Sequence, residues 1–397
     1  MENKSLVDSF KISGSDLKSF KTAVKDMDES TVIVPVKGRD IVFLSLCEVE
    51  KYQVPGKLSF YILSPENLDD FLKKGLTLKV GTIPIEKIGE ELAEQIKTTT
   101  GLVAVIKDKD EDAKYLVSQM AMKTLTRQTC LGGDEMINDG SFARNLYLAK
   151  AVFTKNARLN LVVRQSQTAK VIQAVFKGRY AKFEQNRLVK TVEEMEGNLV
   201  KWEMTHSVTR AWVEIPEYTK GFPEEIAAGF MLQTSDTGYY DMSATAYIRL
   251  SEDKYLFLNR EGVDHCHKAL LSNLTTMTRN VLKSIPQALV SLRQYFDGPT
   301  IKGTAIERIV EDSMRRVCNA SKVPIKRVDA VFSSKEEIDK IKPRYRPDMI
   351  VFSETLKTEY TPFEVLTLKV KAINALEVNG LDEPTTERLR FAFSNLF

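Results

Sequence analysis

Apolar and polar positions alternate most clearly over residues 158–164. Leu159, Leu161 and Val163 share one side there, and Arg158, Asn160, Val162 and Arg164 share the other, which predicts a strand. A second strand is expected over 169–176. Farther on, residues 200–215, 228–234 and 244–250 read as an antiparallel meander, with Asp236-Thr237-Gly238 as one of its turns. Upstream, β-branched or apolar runs at 31–35 and 41–46 flank Lys37-Gly38-Arg39-Asp40, a hairpin candidate, and 58–63 is a third strand. That strand runs into Ser64-Pro65-Glu66, a capping Ser with Pro at the first helical position, and the helix so begun should stop at Lys73-Lys74-Gly75. Ile85, Ile88, Leu92 and Ile96 recur at helical spacing, predicting an amphipathic helix over 85–97, and 101–106 is a buried-type strand.

Helical periodicity dominates elsewhere. It covers 113–127, 142–153 and 186–195, then 262–274, 276–295, 304–318, 334–341 and 363–375. The charged run Lys107-Asp108-Lys109-Asp110-Glu111-Asp112 lacks apolar anchors and reads as a linker. These elements describe an α+β chain with a central antiparallel sheet and a helical C-terminal third. Its expected organisation is an N-terminal α/β addition over 1–112, followed by a second domain over 113–397.

Charge changes this picture. Between Arg144 and Lys190 there are eleven basic residues and one acid, Glu184, a net +10 in 47 residues, whereas the chain of 397 residues carries only +3. Tyr147, Phe153, Phe176, Tyr180 and Phe183 are interleaved with the cations. Cations that neutralise phosphates, set beside rings on which bases stack, are the ingredients of a single-strand nucleic-acid surface. The residues expected to form it are Arg144, Arg158, Arg164, Lys170, Lys177, Arg179 and Lys182 for the phosphates, with Tyr180 and Phe183 for the bases. A second basic stretch, Lys340, Lys342, Arg344 and Arg346 with Tyr345, is held extended by Pro343 and Pro347.

The order of features resembles the phage/plasmid-like proteins of domain of unknown function 932. The matching residues are Leu161-Val162-Val163-Arg164, then Val175-Phe176-Lys177-Gly178-Arg179-Tyr180 with Asn186 at a helix start, then Ser235-Asp236-Thr237-Gly238, Cys266, and Ile373-Asn374-Ala375. The resemblance spans roughly 114–379. It departs from the family's Cys-x-Asn-Thr pattern, because His267 and Lys268 follow Cys266. It implies a gene of a mobile element, and no particular reaction.

Catalytic vocabulary is sparse. His265-Cys266-His267 puts two imidazoles on one side of a strand, but no paired Cys or His spacing completes a metal site. Asp236-Thr237-Gly238 matches the aspartic-protease tripeptide without the apolar strand that leads into it, and it reads more simply as turn chemistry. Asp348, Glu354 and Lys357 approach a metal-dependent nuclease arrangement, with one residue too many between Glu and Lys. There is no P-loop, dinucleotide-binding glycine turn or HExxH. Cys47, Cys130, Cys266 and Cys318 are widely spaced and read as reduced thiols, no apolar run is long enough for a membrane span, and the first residues do not read as a signal peptide. The expectation is a cytoplasmic, non-enzymatic protein without cofactors, binding nucleic acid and able to self-associate. Its rivals are an oligomeric assembly protein of a mobile element, an inhibitor of a host defence enzyme, and the metal-dependent nuclease that Asp348, Glu354 and Lys357 approach.

Overall fold

The computed structural model describes residues 6–106, 113–129, 142–167, 169–177, 185–251, 254–263, 273–331, 357–378 and 383–394. The chain is α+β. Strand β1 (Lys11–Gly14) precedes helix α1 (Leu17–Ser30), which starts where the Asp16 carboxylate accepts the Ser19 amide at 2.8 Å. Its buried stripe is Phe20, Ala23, Val24 and Met27, the spacing of one helical face. Next come β2 (Thr31–Lys37), β3 (Ile41–Leu46), β4 (Lys57–Leu63), α2 (Pro65–Lys74), β5 (Val80–Pro84), α3 (Glu90–Gln95), β6 (Leu102–Ile106) and β7 (Ala113–Val117). Helices α4 (Gln119–Thr129) and α5 (Phe142–Lys155) lead to β8 (Arg158–Gln165) and β9 (Lys170–Lys177).

Strands β2 to β9 form an eight-stranded sheet in the order β2-β8-β9-β7-β6-β3-β4-β5, antiparallel throughout except between β7 and β9. Both edge strands carry a proline, Pro35 and Pro84, as expected where a ladder donor can be spared. The expected hairpin at Lys37–Asp40 does not form. Gly38–Asp40 is a single 3-10 turn, β2 pairs with β8, and β3 pairs with β4 and β6. The expected domain boundary at residue 112 is also overturned, because β6 and β7 on its two sides are paired antiparallel within this one sheet.

Helix α6 (Asn186–Glu194) opens the second half. A meander follows, made of β10 (Asn198–Thr205), β11 (Thr209–Glu214), β12 (Ala227–Thr234), β13 (Met242–Ser251) and β14 (Lys254–Val263), to which β1 adds at the β10 edge. The rest is largely helical: α7 (Leu274–Leu282), α8 (Ile285–Phe296), α9 (Gly303–Ser321), α10 (Lys326–Val331), α11 (Pro362–Val378) and α12 (Glu383–Ser394).

Several expected spans shift. Residues 113–117 are a strand and not the start of a helix. The helix expected over 85–97 breaks into a 3-10 turn, α3 and a π turn that ends at left-handed Gly101. The helix expected from 262 gives way to the end of β14, and 276–295 is divided near Pro286. The expected helix at 334–341 lies outside the described residues.

Two cores hold these layers. One face of the eight-stranded sheet, with Ile41, Phe43, Leu102, Leu159, Leu161 and Val163, packs on Leu125 of α4 and on Leu148 and Val152 of α5. The other face contributes Phe60, Val103, Leu116 and Val171 to a larger core. That core also takes in α1, the inner face of the six-stranded sheet (Met204, Val213, Phe230, Leu232) and the C-terminal helices. The two sheets therefore share one apolar interior, each fully buried Leu, Val or Phe contributing roughly 1.5–3 kcal/mol.

Candidate functional site

The basic block divides by depth. Arg144 on α5 is 2% exposed, so its expected contact with a polymer is overturned. Its guanidinium donates to the Thr100 carbonyl and, from Nε at 3.1 Å, to Asn145 Oδ1. Asn145 in turn donates to Ser45 Oγ at 3.0 Å and to Thr100 O at 3.2 Å. The cation thus sits on a carbonyl left open where the turn before β6 ends, a favoured place for positive charge.

Arg164 is 1% exposed and is overturned as a nucleic-acid contact for a different reason. It shares the strand side of Arg158, as the alternation implies, but the far end of that side is covered by the turn between β12 and β13. There Nη2 of Arg164 lies 2.8 Å from both Oδ1 and Oδ2 of Asp236. The neighbours are polar and buried. Ser235 Oγ and Thr237 Oγ1 are 2.9 Å apart, the Tyr239 amide donates to Ser235 Oγ at 3.3 Å, and Thr237 Oγ1 donates to Ser207 O at 3.4 Å. His206, in the turn between β10 and β11, is held at a pKa of about 4, first by burial and then by the Arg164 cation, with Asp236 opposing. Asp236-Thr237-Gly238 is therefore a structural turn tied to the other sheet, and not one half of a pair of carboxylates sharing a proton.

This junction was missed by sequence reasoning, although a signal existed. Val162 stands on the arginine side of β8, so the strand is apolar on both sides next to Arg164, the mark of a strand covered on both faces. Opposite it, the register between β8 and β9 slips, so that Gln173 is the extra residue of a bulge. Gln173 is buried and donates to Leu6 O at 3.4 Å.

Arg158, Lys170 and Lys177 are exposed. Lys177 Nζ donates to the Gln128 carbonyl in the last turn of α4 at 2.6 Å. Arg158 stands directly across from Lys37, also exposed, at the free edge of the sheet. On the same face, Asn160 stands across from the half-buried ring of Phe176. Arg179, Tyr180, Lys182 and Phe183 lie outside the described residues, as do the His265-Cys266-His267 cluster, Asp348, Glu354 and the second basic stretch. Lys357 is described, and its Nζ is 2.5 Å from Glu364 Oε1.

Lys170 also borders a cleft of about 470 Å³, with Lys87 and Lys114 on the same lining and Ile83, Val103 and Leu116 among its apolar walls. Ile83 comes from β5, and the lysines at 114 and 170 come from β7 and β9. Strands β6, β3 and β4 separate them in the sheet order, so the eight-stranded sheet curls around this cleft.

Among the described residues the thiols of Cys47 and Cys318 are free and buried, and burial raises the Cys318 pKa to about 11, which leaves it a poor nucleophile. Among the described residues no helix is long and apolar enough to cross a membrane. Comparison with family models, with curated proteins and with solved structures returned no match for this chain.

Proposed function

We propose that this chain binds nucleic acid without acting on it chemically, prefers single strands, and serves a phage- or plasmid-like element in the cytoplasm of its host. The observation that carries the reading is the cross-strand pair Lys37–Arg158. Two cations face each other on the exposed edge of the sheet, and neither has a carboxylate partner among the described residues. Directly opposed like charges are destabilising, with side chains about 5 Å apart at their Cβ atoms. A polyanion reverses the sign of that contribution and releases counterions as it binds. The half-buried Phe176 ring stands in the adjoining row, and rings set among cations in this way favour single strands over a closed duplex. The family resemblance of the sequence supplies the mobile-element setting.

The test is fluorescence anisotropy of labelled single-stranded and duplex oligonucleotides at two salt concentrations. The wild-type chain should bind single strands more tightly and lose affinity log-linearly with salt. Lys37→Glu/Arg158→Glu should weaken binding at least tenfold and flatten the salt slope, while its circular dichroism is unchanged. A folded double variant with wild-type affinity would overturn the reading. So would a wild-type chain that ignores all oligonucleotides at low salt, and the basic block would then belong to a protein partner.

A further inference from the structure

We infer that a nucleic-acid strand bound at the Lys37–Arg158 edge continues around the end of the eight-stranded sheet onto α4. There Lys123, Arg127, Lys155 and Lys177 take its phosphates, and Tyr239 holds the first two in place. This rests on the nucleic-acid reading above and gives it a second contact area. The four cations meet on a short stretch of one helix. Lys123 and Arg127 are one turn apart on α4 and lie against the same ring, with Lys123 Nζ 5.7 Å and Arg127 Cζ 5.4 Å from the centroid of Tyr239. Lys177 Nζ donates to the Gln128 carbonyl at 2.6 Å, and Lys155 Nζ donates to the next carbonyl, that of Thr129, at 2.8 Å. Residues 123–129 span about 9 Å of helix axis at 1.5 Å per residue. A helix C-terminus carries about half a negative charge, so two lysines suffice to cap it and four cations overshoot it. Helices α4 and α5 and strands β8 and β9 contain no Asp or Glu. None of the four cations is ion-paired with a carboxylate among the described residues.

Tyr239 reaches α4 because of the junction between the sheets. Its amide donates to Ser235 Oγ at 3.3 Å, in the turn whose Asp236 is held by Arg164. Tyr240 packs edge-on against it, with ring centroids 5.0 Å apart. Like charges one turn apart destabilise a helix, and the negative face of the Tyr239 ring offsets part of that repulsion. A cation resting on a ring has given up part of its side-chain freedom before a phosphate arrives, so less is lost on binding. Lys155, Lys177 and Arg127 are exposed, and each ammonium that donates to one carbonyl keeps two further N–H groups for an anion.

The surface is continuous with the sheet edge. The strand order runs β2-β8-β9, and α4 lies beside β9, where the Val175 amide donates to Thr124 Oγ1 at 2.9 Å. Lys37 stands across from Arg158, and the next residue, Leu159, stands across from Lys177. Lys177 is therefore on the opposite face of the sheet from Arg158, and the row of cations bends around the strand ends. Three strands about 4.8 Å apart and the stretch of α4 give a path of roughly 20 Å. A single strand can follow such a bend. A duplex, with a persistence length of about 50 nm, cannot.

The test is fluorescence anisotropy of a labelled oligodeoxythymidylate 12-mer with the full chain, between about 50 and 200 mM salt. Lys123→Gln/Arg127→Gln should weaken binding at least fivefold. It should also flatten the slope of log affinity against log salt by about 1.4, two lost phosphate contacts at roughly 0.7 each. Tyr239→Leu, which keeps both charges, should weaken binding at least threefold, whereas Tyr239→Phe, which keeps the ring, should bind within twofold of wild type. Should circular dichroism show that the double variant does not fold, Arg127→Gln at its exposed position carries the test, with a slope change of about 0.7. A folded Lys123→Gln/Arg127→Gln with wild-type affinity and slope, beside a weakened Lys37→Glu/Arg158→Glu, overturns this inference and leaves the function proposed above standing. Equal losses in Tyr239→Phe and Tyr239→Leu overturn the role of the ring. A wild-type chain that binds no oligonucleotide removes both readings at once.

Discussion

Arg164 Nη2 lies 2.8 Å from each carboxylate oxygen of Asp236, 72 residues away along the chain, and this contact ties the eight-stranded sheet to the six-stranded one. The geometry is one nitrogen against two oxygens and not a two-nitrogen fork, and Arg164 Nε and Nη1 find no partner among the described residues. A buried pair with unmet donors recovers only part of its desolvation cost, yet losing one partner strands a charge in the interior. Asp236→Ala should therefore cost about 3–5 kcal/mol of unfolding free energy. Arg164→Met/Asp236→Leu should regain most of that loss. Urea unfolding of the two single variants and the double variant checks both statements, and strictly additive losses would refute the coupling.

His206 gives the junction a pH dependence with a definite sign. Its pKa is about 4 in the folded chain, below the ordinary 6.5 of an imidazole, so the unfolded chain binds a proton more readily between those values. Stability is accordingly complete above about pH 6.5 and is lost as pH falls toward 4, with each unit of difference worth about 1.4 kcal/mol at full burial. The side chain is only partly buried, so the loss should total no more than about 3 kcal/mol. Carboxylates titrate at the lower end of the same window. The measurement is therefore the difference between wild type and His206→Gln in urea unfolding at pH 7, 5.5 and 4.5. Parallel curves for the two proteins would show that His206 does not contribute.

What could be read from the sequence was whatever is decided within a few residues. Ser64 accepts the Asn67 amide at 3.1 Å and Gly75 closes α2 at φ 66°, because a cap and a left-handed stop are local chemistry. The sidedness of β8 was legible for the same reason. Pairing partners were not. Lys37-Gly38-Arg39-Asp40 has the composition of a hairpin, but Gly38 is needed for a close approach, since a Cβ there would lie 2.6 Å from the Val152 carbonyl of α5. Depth was equally hidden: alternation gives Arg158 and Arg164 the same side, and only the arrival of the Asp236 turn buries one of them. Lys87 and Lys114 joined no charge cluster along the chain, because only the curl of the sheet brings them to one cleft.

Gly229 in β12 offers a steric test of the six-stranded sheet. It stands across from Glu214 in β11, and a Cβ at Gly229 would lie 1.9 Å from the Val213 carbonyl and 2.9 Å from Glu214 Cα. Both obstacles are backbone, so no rotamer change relieves them. Glu214 is held in addition by Arg249, whose Nε lies 2.6 Å from its Oε1. Gly229→Ala should cost about 3 kcal/mol, the upper end of overpacking penalties. The drop should appear in the urea midpoint with an unchanged slope. A loss below about 1 kcal/mol would mean that β11 and β12 can move apart there.

Asp8 is a carboxylate held where charge is disfavoured. Its Oδ2 accepts the Gln119 amide at 3.0 Å at the start of α4, while its own amide donates to Gln95 Oε1 at 2.9 Å. Burial raises its pKa and outweighs the lowering effect of the Gln119 bond, and Oδ1 has no partner among the described residues. The sign is opposite to that at His206. A raised carboxyl binds its proton more tightly in the folded chain, so this group costs stability as pH rises above 3.8. In Asp8→Asn the carboxamide oxygen can keep the Gln119 bond and one unpartnered atom replaces another, so charge is the main change. The variant should be more stable than wild type at pH 7, by on the order of 1 kcal/mol. Its advantage should shrink as pH is lowered toward 3.8. Thermal unfolding at pH 7 and pH 4 decides the point. A variant less stable than wild type at pH 7 would show that the charge at the α4 N-terminus is worth more than its desolvation costs.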